Sequence, residues 1–131
     1  SITGLEAASD TLAAMLASHR DFGRLGALLP SIIETNVALE RLIQCKCEII
    51  AMMTEGADLL VECGLFDDSA DSARFLRDLA NYVSGLYPAT HPLPIQRIAC
   101  KETGYPILSY EASLRNFLII QFVGYRTLKG K

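Results

Sequence analysis

The sequence predicts a mainly α, four-helix bundle-like fold, one domain over residues 1–131, with an overlong helix over about residues 30–63. A small β-hairpin over about residues 95–110 is expected before the C-terminal helix. Three observations carry this. Apolar residues recur three and four apart through long segments, the period of one helix face. Glycine and proline cluster between those segments rather than inside them. And 131 residues suit one domain, long enough to bury a sizeable core.

The first element is expected over about residues 4–20. Thr3 and Glu6 have the spacing of a capping box. Leu5, Ala8, Leu12, Met15 and Leu16 follow at helical intervals, and Gly23 is a plausible stop. His19 falls in the last turn, where an imidazole suits exposed carbonyls better than catalysis. A second helix can start at Pro30, a residue that fits the first helical position. Up to Gly64 only Gly56 interrupts it. Leu39, Ile43, Ile50, Met53, Ala57 and Leu60 repeat in a heptad-like, coiled-coil-type seam, with Asn36 and Lys46 as polar interruptions. Helices of ordinary length cannot cover such a rod completely, so it is either the core helix of a monomeric bundle or one whose overhang pairs with another chain.

Asp67, Asp68 and Ser69 make a polar, acidic start for a third helix over about residues 69–86, closed by Gly85 and Pro88. The stretch "PLPIQRIACKETGYPILSYEAS" then changes character. Its prolines disfavour helix, its apolar residues show partial alternation, and Gly104 stands where a hairpin turn needs positive φ. Such a hairpin must lie on the helices or on a partner, because alone it is marginally stable. A final helix over about residues 110–128 begins at Ser109. Its apolar residues nearly surround it, so it should be buried, and a strand over residues 117–125 is the rival reading.

The totals exclude several functions. Half of the residues are hydrophobic, with no Trp, and mean hydropathy is +0.26. Yet the apolar run from Phe117 stops at Gln121, far short of the ~20 residues of a membrane span. No basic-then-apolar leader opens the sequence, and a start at Ser1 suggests a processed or excised piece. Cys45, Cys47, Cys63 and Cys100 lack metal-ligand spacing, and reduced thiols place the chain inside the cell, in cytoplasm or nucleus. Residues 1–90 carry six Lys and Arg against thirteen Asp and Glu, a net −7. Residues 91–131 carry six against two, a net +4. An acidic front and a basic tail can attract each other within or between copies.

No phosphate loop, dinucleotide fingerprint, nucleophile elbow or zinc-protease motif is present, so no cofactor or metal is expected. With two histidines only, an enzyme is not expected either. Cys100 with His91 would be the pair to examine if one existed. Arg97, Lys101, Arg126 and Lys129 could form a basic patch for nucleic acid, with Tyr105 and Tyr125 for stacking. The stronger signal is surplus apolar surface on helices. It points to a protein-binding module, a scaffold, adaptor or assembly subunit, that associates with another protein and with itself. Leu39, Ile43, Ile50, Met53, Leu60, Tyr105 and Tyr125 are the interface candidates.

Overall fold

The computed structural model describes residues 2–18 and 38–129. The His19 cap, the Gly23 stop, the Pro30 start and Asn36 lie outside these residues. Among these described residues five helices follow in order: α1 (Ile2–Ser18), α2 (Leu39–Glu62), α3 (Ser69–Thr90), α4 (Pro94–Thr103) and α5 (Tyr110–Lys129). There is no strand among the described residues. Contacts divide the chain into two compact units, one of residues 1–27 with 83–131 and one of residues 28–82.

In the first unit, α1 packs on α5. Leu5, Ser9 and Ala13 of α1 are buried at steps of four, as are Leu114, Leu118 and Phe122 of α5. Both sets follow the i±4 ridges that interdigitate between helices. Two of the three α1 residues are small, which lets the axes approach. Ser9 removes its own polarity by donating to Leu5 O at 2.7 Å. The buried stripe thus differs from the expected one: Leu12 and Leu16 are half-buried and Met15 is exposed. The helix already includes Ile2, so Thr3 stands inside the first turn rather than ahead of it as a cap.

In the second unit, α2 begins at Leu39, because Ala38 is extended (φ −60°, ψ 144°). It has 24 residues and a length of about 36 Å, not the rod expected from residue 30. Its end is where the sequence puts it. Gly64 takes φ +83°, Gly64 N–H donates to Val61 O and Leu65 N–H to Leu60 O, a Schellman termination. Asp68 caps α3 by accepting from Ala70 N–H at 2.7 Å. Phe66 and Phe75 pack with centroids 5.1 Å apart, and buried Ser72 donates to Ala57 O at 2.9 Å, tying α3 to α2.

Two expectations are corrected. Helix α3 runs past Gly85 and through Pro88 to Thr90. A proline removes the bond from its own N–H to the carbonyl four residues back, and so near the end that loss does not stop the helix. His91 N–H still donates to Tyr87 O, and Thr90 Oγ1 to Leu86 O. The hairpin over residues 95–110 does not form. Pro94 occupies the start of α4, where its fixed φ is suited to a helix, and Gln96 Oε1 accepts from Leu93 N–H at 2.8 Å. Gly104 has the positive φ anticipated (+74°), but as the left-handed C-cap of α4. The strand reading of residues 117–125 is likewise displaced by α5.

Candidate interface and cavity

Helix α2 presents one apolar face whose two halves differ. At about 100° per residue, Leu39, Ile43, Ile50 and Ala57 fall on the same side. Ala57 is 2 % exposed, while Leu39, Ile43 and Ile50 are 69 %, 54 % and 64 % exposed. The expected interface residues therefore separate. Leu39, Ile43 and Ile50 lie open on the first half, and Met53 and Leu60 are half-buried on the second. That second half is the part α3 reaches, through Ser72 and through Leu76, which lies against Gly56. Between Leu39 and Ile50 the charges are Glu40, Arg41, Lys46 and Glu48, two of each sign.

The first unit carries a second open apolar area. Helix α4 buries none of its residues. Leu93, Ile95, Ile98, Tyr105, Ile107 and Leu108 are exposed around it. Of the remaining interface candidates, Tyr105 lies here and Tyr125 is half-buried on α5. Arg97 and Lys101 sit four apart on α4, and Arg126 and Lys129 in the last turn of α5. All four are exposed.

A polar and aromatic cluster, not foreseen from the sequence, joins the end of α3 to the start of α5. His91 stacks on Tyr87 with centroids 4.2 Å apart, and Tyr110 meets both rings edge-on at 6.3 and 6.0 Å. His91 Nδ1 lies 3.0 Å from Tyr87 O. Thr90 Oγ1 also lies 3.0 Å from Nδ1, so the ring's tautomer decides whether Nδ1 donates to the carbonyl or accepts from the hydroxyl. The polar neighbours of Nδ1 are thus Tyr87 O and Thr90 Oγ1, not the Cys100 thiol considered as its partner. Tyr110 Oη is buried with no hydrogen-bond partner among the described residues. Burial, and secondarily the charge of Tyr87, pushes the Tyr110 phenol above its ordinary range. The visible signal was Tyr87 and His91 at i and i+4, but a helix ended at residue 86 hides it.

Beside the cluster is a cavity of about 290 Å³ lined by Thr90, His91, Leu108, Ser109, Tyr110 and Glu111, with Ala17. A shallower depression of about 530 Å³ shares Ser109 and Glu111 and contains the Arg115–Asp10 ion pair. Among the described residues no group of three or more His, Cys, Asp or Glu is placed to hold a metal ion. Nor is any described helix long and apolar enough to cross a membrane.

The family model described as "Tetracyclin repressor-like, C-terminal domain" matches residues 2–129. The chain belongs to that family. Tetracyclin-repressor-like C-terminal domains are helical parts of transcription regulators, not enzymes, and are typically the parts that bind ligand and dimerise. The DNA-binding domain is typically a separate module. No curated protein and no solved structure matches the chain. Membership accounts for the helical fold, and it is consistent with self-association, since such domains usually dimerise.

Proposed function

We propose that this chain is the self-association domain of a transcription regulator, and that two copies meet through the uncovered first half of α2. The single observation that carries this is the change along one helix face, from buried Ala57 to open Leu39, Ile43 and Ile50. An apolar face left open by its own chain favours a partner that removes it from water. Charge permits a second copy as that partner, with no net repulsion between the two faces. The two acidic and two basic residues between Leu39 and Ile50 cancel. Exposed α4 and Tyr105 would be a separate surface for a further protein. Pairing two copies would place two DNA-binding modules in a fixed relation, which suits a two-fold operator. Sedimentation equilibrium of the chain across a wide concentration range tests the reading. A dimer is expected; a strict monomer at the highest concentrations overturns it.

A further inference from the structure

We propose that α4 is a preformed docking surface for an acidic amphipathic helix of another protein. The proposal rests on the reading of α4 as a protein-binding surface separate from α2, and not on self-association. An amphipathic helix ordinarily turns its apolar face to its own core. Helix α4 turns it outward. At about 100° per residue, Ile95, Ile98 and Ala99 share one side. Ile95 and Ile98 are 74 % and 63 % exposed. Cys100, the one half-buried residue of α4, falls about 140–160° from both isoleucines, so the opposite side is the one turned to the protein. Tyr105, Ile107 and Leu108, all exposed, follow directly in the chain. Local bonds rather than packing fix the helix. Leu93 N–H donates to Gln96 Oε1, Thr103 Oγ1 donates to Ala99 O at 2.7 Å, and Gly104 closes the end in the left-handed conformation. A surface set before its partner arrives loses less conformational freedom on binding.

Charge selects the partner. Arg97 and Lys101, one turn apart, border the isoleucine stripe, and neither has an ion-pair partner among the described residues. Carboxylates one turn apart on a partner helix match them. Glu102 stands seven residues after Ile95, on the apolar side itself. A carboxylate there opposes insertion among lipid acyl chains. Together with two isoleucines it also opposes contact with nucleic-acid phosphates. Pairing with α4 of a second copy is disfavoured as well, because each α4 carries two cations against one acid.

Titration of the whole chain into a labelled helical peptide of about 18 residues, with a leucine stripe bordered by glutamates, tests the assignment. Fluorescence anisotropy should saturate about tenfold more tightly than with the same peptide carrying lysines for glutamates. The acidic peptide should also move the amide shifts of Ile95, Ile98 and Lys101. Ile95→Ala with Ile98→Ala, at exposed positions, should weaken its binding about tenfold while circular dichroism remains native. Arg97→Glu with Lys101→Glu should invert the preference between the two peptides. Failure to saturate, equal affinity for both peptides, or unchanged binding by either variant overturns the proposal. So does tighter binding to phosphatidylglycerol vesicles or duplex DNA than to the acidic peptide. Sedimentation of the Ile95→Ala, Ile98→Ala protein should match that of the parent; lost self-association there would make a second copy the occupant and overturn the proposal too. A parent chain that stays monomeric yet binds the acidic peptide overturns only the reading of α2, so the two fail separately.

Discussion

Replacing Ile43 and Ile50 together by Glu probes the open half of α2. Burying an isoleucine fully is worth about 1.5–3 kcal/mol. These two are 54 % and 64 % exposed, so covering what remains contributes roughly 1–1.5 kcal/mol each. A two-fold pair contains four such side chains, roughly 5 kcal/mol, or three to four decades in Kd. Introduced carboxylates add a desolvation cost on top. The isolated chain should hardly notice, because exposed substitutions usually stay within about 0.5 kcal/mol and Glu is a good helix former. Sedimentation equilibrium gives the Kd, and urea unfolding at a concentration where both proteins are monomeric gives the stability. Met52, 66 % exposed on the opposite side of α2, supplies the control as Met52→Glu. The reasoning is refuted if the control dissociates the pair and the double variant does not, or if the double variant unfolds the monomer.

Further outcomes follow from the two cores and the cluster. Tyr110→Phe should raise stability by about 1 kcal/mol in urea unfolding, since it removes a buried hydroxyl with no hydrogen-bond partner among the described residues while keeping the ring contacts. Because burial holds the Tyr110 phenol above its ordinary 10.0, its neutral form is favoured by folding. That contribution is intact below about pH 10 and is lost as pH rises through the folded value. Unfolding followed against pH should therefore show a gentler alkaline decline in Tyr110→Phe, with half-buried Tyr82, whose phenol is also raised by burial, sustaining part of it. Phe122→Ala, at 1 % exposure between α1 and α5, should cost about 3–5 kcal/mol in chemical denaturation; Ser72→Ala, which loses one 2.9 Å bond to Ala57 O, should cost about 1 kcal/mol. Gly104→Ala, at φ +74°, should cost about 1 kcal/mol and fray α4, read as lost helical signal on heating.

What the sequence made legible was what local chemistry decides. Gly64 could be placed as the stop of α2 because a left-handed terminus nearly demands glycine, and Asp68 as a cap because its oxygen satisfies a free amide. The open seam of α2 was legible too, since Leu39, Ile43 and Ile50 repeat with Ala57. The misread places are those where one residue serves two structures. Pro94 and Gly104 bracket either a hairpin or a short helix. With no α4 residue buried, no core-facing stripe marks the helical choice. Pro88 breaks helices in their interior but is carried near the end of α3, and stopping the helix early hid the Tyr87–His91 stack. Their meeting with Tyr110 depends on tertiary packing across residues 91–110, which no local spacing encodes.

Hydrogen–deuterium exchange, recorded above and below the dissociation concentration, reads the interface on the unaltered chain. Amides over residues 43–54 of α2 should gain protection in the concentrated sample, while those over residues 114–122, already buried against α1, should not change. Identical exchange in α2 at both concentrations, with the chain dimeric in the concentrated sample, would contradict the assignment of α2 as the meeting surface.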